Sequence, residues 1–293
     1  MICDLVKTVT PDGLRLDGAL HAPTAQPARD LGVDAVICLH GVGSNFYGSS
    51  LLEAITVPLQ SLGLHVCWAN TRGHDNLFAA SYRLGRRWFG AAFESVDECR
   101  QDIAGWLDLL RHRGWQRVAL VGHSLGAIKA VYSQAVEPRE EVRAIVAISP
   151  PRLSYQFFQQ DPNGTAFREA ITTAQQYLDQ QAGDQLIHVK YPFPLWITAA
   201  GYVEKYGPAE RYNIVPLVHR LNCPTLFTYG ELELESGSAS FAGVPDALRA
   251  AARPEQNLSI LEIPEADHNY LRATAKLGQA ITSWFHSQSP TQP

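Results

Sequence analysis

Six short apolar runs constrain this chain more than any other feature: AVICLH (35–40), HVCWAN (65–70), RVALVG (117–122), RAIVAIS (143–149), PTLFTY (224–229) and LSILEI (258–263). Each has the length of a strand and is rich in β-branched or aromatic residues. None alternates with polar residues, which means that both faces of each strand are covered. Helical stretches separate them. In VDECRQDIAGWLDLLRHRG, residues Val96, Cys99, Ile103, Trp106, Leu107 and Leu110 recur every three or four positions, and Gly114 offers a C-terminal stop. Strands alternating with helices predict an α/β fold, a mostly parallel central sheet with right-handed crossovers and helices on both faces. The start, DLVKTVTPDGLRLDGALHAP, alternates apolar and polar residues around Pro-Asp-Gly and predicts an antiparallel hairpin.

One interval breaks the rhythm. Between the run ending near Ser149 and the one starting at Pro224 lie roughly 70 residues, far more than a crossover between parallel strands needs. The interval is dense in aromatic residues and shows two helical patterns, near 164–181 and 195–206. It reads as a cap inserted over the sheet, giving a core of residues 1–151 and 223–286, a cap of 152–222 and a flexible polar tail, SQSPTQP, at 287–293. Most of the cap aromatics must form the insertion's own core. The rest face a ligand, with Phe157, Phe158, Trp196 and Tyr202 as the candidates.

Composition narrows the function classes. With 46% hydrophobic and 18% charged residues the chain should fold, and its formal charge of -5 gives no electrostatic reason for a nucleic-acid partner. The nearest basic group, Arg83, Arg86 and Arg87, reads as a solvated or salt-bridged face. No apolar stretch is long enough to span a membrane or form a signal peptide, so a soluble cytoplasmic protein is expected, as monomer or dimer. The cysteines, Cys3, Cys38, Cys67, Cys99 and Cys223, form no CxxC pair and read as buried free thiols. The histidines are dispersed without metal-ligand spacing, and GVGSNFYG lacks both the third glycine of a dinucleotide site and the lysine of a phosphate loop. No metal and no cofactor are expected.

The chemistry concentrates at GHSLG (122–126). A serine hydroxyl is a poor nucleophile at neutral pH, so it needs a base in hydrogen-bond reach and a third group to orient that base. Glycines two positions either side of Ser124 suit a tight strand-to-helix turn, and here the motif follows the strand RVALV and precedes the helical AIKAVYSQAV. A tetrahedral intermediate also needs backbone N–H donors. Leu125, next after the serine, supplies one, and the glycine-rich loop LHGVGSN (39–45) supplies the other through Val42, with Gly43 or Ser44 as fallbacks. His40 and His123 are locked into their turns and read as structural neighbours of the site. In NTRGHDN (70–76), Arg72 and His74 read as braces of the loops beneath it.

The hairpin, the HG loop, NTRGH after the next strand, the GHSLG turn, a cap and a late ADH together resemble the α/β-hydrolase superfamily, in the form of a serine esterase-like member with a cap insertion. The resemblance covers almost the whole chain. It implies an acid after the strand that follows the cap, in a G-x-x-D pattern, and a histidine in the loop after the last strand. Those places hold Glu233 of YGELE and His268 of PEADHNY, the latter lying between LSILEI and the helical YLRATAKLGQAITSWF. Glu in place of the commoner Asp leaves Glu231, Glu235 and Asp246 in competition, while Asp267 adjoins the histidine but should point elsewhere.

A serine at the turn disfavours the epoxide opening and dehalogenation that an aspartate there supports in this superfamily. The expectation is a carboxylic-ester hydrolase acting on a small-molecule ester through an acyl-enzyme, with Ser124 as nucleophile, His268 as base and Glu233 as orienting acid. The alternatives are hydrolysis of an amide, thioester or carbon–carbon bond by the same residues. An aminopeptidase of this kind would want Glu204 or Glu210 to hold the substrate amine. A third reading, a ligand receptor without turnover, is disfavoured because all three positions carry chemically competent residues.

Overall fold

The six apolar runs become six neighbouring strands of one sheet. The computed structural model describes residues 2–27 and 30–288. In chain order the elements are β1 (Asp4–Val9), β2 (Arg15–His21), β3 (Ala35–Leu39), α1 (Ser50–Ser61), β4 (His65–Ala69), β5 (Phe78–Tyr82), β6 (Gly85–Phe89), α2 (Cys99–His112), β7 (Val118–His123), α3 (Leu125–Val136) and β8 (Val142–Ile148). There follow α4 (Tyr155–Gln160), α5 (Thr165–Asp179), β9 (Leu186–Val189), β10 (Leu195–Thr198), α6 (Ala199–Tyr206), β11 (Thr225–Gly230), α7 (Glu231–Glu235), α8 (Val244–Ala251), β12 (Leu258–Ile263) and α9 (Thr274–Gln288). The central sheet runs β1-β2-β4-β3-β7-β8-β11-β12. From β4 to β12 every pairing is parallel, while β2 joins β4 and β1 joins β2 antiparallel.

The missing alternation has the cause expected of it. On β3, Ile37 and Leu39 pack into one core layer with Trp106 of α2 and Ile128 of α3, whereas Val36 and Cys38 pack into the other with Ile55 of α1 and Ile281 of α9. Both faces are therefore apolar. The sheet's last strand, β12, departs from this: it is an edge, and Leu261 is 37% exposed. Strand order reverses between β3 and β7, because β3 continues to β4 on one side while β7 leads to β8, β11 and β12 on the other. At such a switch point the two carboxyl-end loops diverge and leave a crevice. The loop after β3 and the turn after β7 meet there.

Between β8 and β11, α5 falls where a helix was predicted, and the second pattern divides: Leu195–Thr198 forms β10, paired with β9 in the register Leu195↔Val189, and α6 begins only at Ala199. Trp196, Ile197 and Thr198 are strand formers, and the Thr198 hydroxyl then caps α6 by accepting from the Gly201 N–H at 3.1 Å. The hairpin β5–β6 was not expected from sequence. Of the supposed tail, Ser287 and Gln288 complete α9, and 289–293 lie outside the described residues. Among the cysteines, Cys38, Cys67 and Cys99 are buried, but Cys3 is exposed and Cys223 only partly buried, because both lie just outside strands rather than within them.

The segment between β8 and β11 is tied to the core by specific links. The Thr198 N–H donates to the Ala92 carbonyl at 2.9 Å, and the Tyr212 hydroxyl accepts from the Asp97 N–H at 3.0 Å. Beneath α6, fully buried Lys205 lies 3.7 Å from Glu94, whose other oxygen pairs with Lys129 of α3. Among the described residues no helix is long and apolar enough to cross a membrane.

Candidate active site

Ser124 sits between β7 and α3 at φ 54° and ψ -119°, a conformation that costs a non-glycine residue about 1–3 kcal/mol. The flanking glycines make that turn possible through close approach. A Cβ on Gly122 would lie 2.2 Å from the Gly126 carbonyl oxygen, and one on Gly126 would lie 2.2 Å from that of Leu39. The Ser124 N–H donates to the Ile148 carbonyl at 2.9 Å, which ties the turn to β8. Its hydroxyl makes no capping bond to α3, so Ser124 is not serving as a helix cap.

The hydroxyl instead meets His268. Ser124 Oγ and His268 Nε2 are 3.1 Å apart, and His268 Nδ1 hydrogen-bonds Glu233 Oε1. Three separate segments supply these side chains: the turn after β7, the short helix α7 after β11 and the loop after β12. Glu233 is buried, and its second oxygen accepts from the Ser149 hydroxyl at 2.7 Å and from the Gly230 N–H at 3.2 Å. Because Ser149 spends its proton on Glu233, the Tyr270 hydroxyl, 2.9 Å away, must donate to Ser149 and accept in turn from Thr228 at 3.2 Å. The second oxygen of Glu233 thus accepts two hydrogen bonds, which hold the carboxylate with its other oxygen on His268.

The competing acids point away. Glu231 accepts from the Glu265 N–H at 2.9 Å, Glu235 is exposed, and Asp246 pairs with Arg249 at 2.7 Å on the surface. Asp267 folds its own loop by accepting from the N–H groups of Asn269 and Leu271, each at 3.1 Å. The loop is pinned from below as well, since His123 Nε2–H donates to the His268 carbonyl at 2.8 Å. Burial, with His268 nearby, pushes the His123 imidazole down to about 4, so it is neutral near pH 7 and acts as a strut.

His40 has the same role on the other side. Its Nδ1–H donates to the Gly41 carbonyl at 2.8 Å and its Nε2 accepts from the Thr71 N–H at 3.1 Å, while burial, assisted by Lys129, pushes it down to about 3. Arg72 is fully buried and holds Asp102 at 2.9 Å and Asp12 at 3.0 Å. His74 bonds Asp75 at 2.8 Å and stacks on Phe78. His40 thus joins the loop after β3 to the loop after β4, and Arg72 joins the latter to α2 and to the turn between β1 and β2.

Two cavities open at Ser124. One, of about 440 Å³, is wide and mixed in character, lined by Ser44, Ser49, Ser50 and Asn269 beside Val42, Leu51, Phe193 and Leu271. The other, of about 150 Å³, lies against α6 and is mainly apolar, walled by Pro151, Leu153, Pro192, Phe193, Tyr206 and Phe241. Val42 and Leu125 line the smaller cavity beside Ser124, and Gly41 packs so closely that a Cβ there would lie 3.5 Å from Ser124 Cβ.

The four pocket candidates lie elsewhere. Phe158 and Tyr202 are buried among the aromatic side chains between α4, α5 and α6, with the Tyr202 hydroxyl donating to the Tyr191 carbonyl at 2.9 Å. Phe157 is 46% exposed under the Arg152 guanidinium, and Trp196 is 59% exposed beside His188. Helical periodicity could not tell a cap aromatic facing its own core from one facing the sheet. Sequence reasoning also missed Ser149 and Tyr270. Ser149 was findable, because it closes the strand adjacent to the serine turn.

A parallel sheet whose central strand ends in a serine turn, with a histidine and a carboxylate delivered by two later strand ends, defines the α/β-hydrolase class of fold. The chain belongs to the alpha/beta hydrolase family, which residues 36–277 match. No curated protein shows significant sequence similarity to it. Among solved structures it is similar to Est1E from Butyrivibrio proteoclasticus with ferulic acid bound, at 15% identity and a TM-score of 0.66, covering 97% of this chain and 99% of that one. It is also similar to the alpha/beta hydrolase GrgF from Penicillium sp. sh18 (14% identity, TM-score 0.70, 99% and 100% covered). A dienelactone hydrolase from Anabaena variabilis is a third (17% identity, TM-score 0.57, 98% and 97% covered).

Proposed function

We propose that this protein is a serine hydrolase that cleaves a small-molecule carboxylic ester, with Ser124 as nucleophile, His268 as general base and Glu233 as orienting acid. The unbroken hydrogen-bonded chain from Ser124 through His268 to buried Glu233 carries the reading. His268 Nε2 takes the hydroxyl proton as Ser124 Oγ bonds to the ester carbonyl carbon. The oxyanion so formed accepts from the backbone N–H groups of Val42 and Leu125. His268 then returns the proton to the departing alcohol, leaving an acyl-serine. Water repeats the sequence, with its proton passing to His268 and then to Ser124, and the acid is released. Glu233 holds Nδ1 protonated and steadies the imidazolium between the two transfers. Residues 152–222 act as the cap that covers the acyl side.

The ester reading stands ahead of an aminopeptidase because the two carboxylates that could hold a substrate amine are committed elsewhere. Glu204 bonds Ser95 and Tyr212, and Glu210 bonds Ser154 and Asn213, and neither lines the cavities at Ser124. The likeness to Est1E and to a dienelactone hydrolase is an analogy of fold that points the same way. The chemistry calls for no cofactor. The test is a fluorophosphonate probe with the adduct located by mass spectrometry, run beside p-nitrophenyl esters and aminoacyl p-nitroanilides. A label on Ser124 with ester turnover, both lost in His268→Ala, is the expected result. Turnover of anilides alone, or no label on folded protein, would sink the reading.

A further inference from the structure

The two cavities divide an ester between them, and the division follows from the order of the proposed steps. The alcohol must leave, and water must reach His268, while the acyl group stays bonded to Ser124. His268, Ser124, Val42 and Phe193 border both cavities, and the exit is assigned to the wider one, which also reaches Asn269 and Leu271. The acyl group takes the smaller cavity, beside Val42 and Leu125. No Lys, Arg, Asp or Glu lines that cavity, so an uncharged acyl group fits it.

One polar atom in its wall stands out. Six tyrosines are buried: Tyr132, Tyr202, Tyr206, Tyr212, Tyr229 and Tyr270. Five have hydrogen-bond partners in the protein, namely Asp97, the Tyr191 carbonyl, Glu204, the Pro150 carbonyl and Ser149. Tyr206 has none among the described residues, although it is only 3% exposed and lines the acyl cavity. The hydroxyl is not one of the enclosed unpartnered atoms, so it has access to open space, and the cavity that the residue lines is where a ligand oxygen can reach it. Burial, with Glu94 nearby, pushes its ionisation up, so the group offered is a protonated O–H.

We propose that the Tyr206 hydroxyl is a specificity element that donates a hydrogen bond to an oxygen on the acyl half of the substrate. The preferred substrates are then esters of compact, uncharged acids bearing an ether, hydroxyl or carbonyl oxygen, joined to a larger alcohol. The proposal rests on the serine-hydrolase reading. A pocket built to bond such an oxygen discriminates against an all-carbon analogue, whose binding leaves the phenol unpaired.

The test uses p-nitrophenyl esters of methoxyacetate, 3-methoxypropanoate and 4-methoxybutanoate, each paired with the all-carbon ester of the same length and normalised to its alkaline hydrolysis rate. Intact protein is compared with Tyr206→Phe and Ser240→Ala, and fluorophosphonate labelling of Ser124 is followed in all three. At least one oxygenated ester is expected to exceed its partner in kcat/KM by about tenfold, and Tyr206→Phe is expected to abolish that ratio. An unchanged ratio for all three pairs in Tyr206→Phe, or a ratio that moves only in Ser240→Ala, would overturn the assignment. Absence of Ser124 labelling in the unsubstituted protein would instead mark failure of the hydrolase reading itself.

Discussion

Around Ser124 backbone packs on backbone, whereas in the α4–α6 segment side chains pack on side chains. At the turn, added atoms at Gly122 and Gly126 would collide with carbonyl oxygens that cannot move without breaking β3 or α3. Between β8 and β11, Phe158, Phe167, Tyr191 and Tyr202 fill space with rings whose centroids lie 5.3–6.3 Å apart, an arrangement that many sequences could satisfy. The difference teaches where tolerance lies. Groups proposed for the chemistry hang on strand ends, where geometry is set by the sheet, whereas part of the cavity wall beside Ser124, including Leu153, Pro192, Phe193 and Tyr206, comes from the segment between β8 and β11, where it is set by packing.

That contrast can be broken most directly at the serine. Ser124→Ala and His268→Ala are each expected to lower ester turnover by on the order of 10⁶-fold, and Glu233→Gln by on the order of 10⁴-fold. Single-turnover kinetics with a p-nitrophenyl ester would measure all three, and equal losses for Glu231→Gln would show the wrong carboxylate has been chosen. Gly126→Ala should cost about 3 kcal/mol or more, since the new methyl meets the Leu39 and His40 carbonyls. Denaturant unfolding showing a loss under about 1 kcal/mol would mean the turn is softer than its contacts imply.

Acid should loosen the same region. The folded pKa values of His123 and His40 lie at about 4 and about 3, below the ordinary value of 6.5. In that window the unfolded chain binds the extra protons, so stability is complete above about pH 6.5 and is lost as pH falls toward 4. His123→Gln should flatten the slope of stability against pH between 6.5 and 4, and an unchanged slope would remove His123 from the account. The smallest effects belong to the exposed side chains of the α4–α6 segment. Phe157→Ala and Trp196→Ala should stay within about 0.5 kcal/mol in stability and about twofold in kcat/KM, as exposed positions do. Phe241→Ala, in the acyl cavity wall and 5.3 Å from the His268 ring, should raise KM several-fold. A larger response at Trp196 than at Phe241 would reverse the comparison.

The sequence by itself determined the parallel sheet, the hairpin before it and the serine turn. Strand burial, hairpin chirality and the strand-turn-helix passage are local, written in runs of a few residues such as RVALVGHSLG. It also located His268 and proposed Glu233, although only by resemblance, since three other acids stood equally near in the chain. Only the tertiary structure brings Glu233 rather than those acids to His268, because the donors around it come from Ser149 at the end of β8, Gly230 of β11 and His268 beyond β12. Which aromatics face Ser124 was likewise decided only there: Phe193, Tyr206 and Phe241 do, while Phe157, Phe158, Trp196 and Tyr202 do not. Periodicity records that a helix or strand has an apolar face, but not which neighbour that face meets, and an inserted segment has two neighbours to choose from.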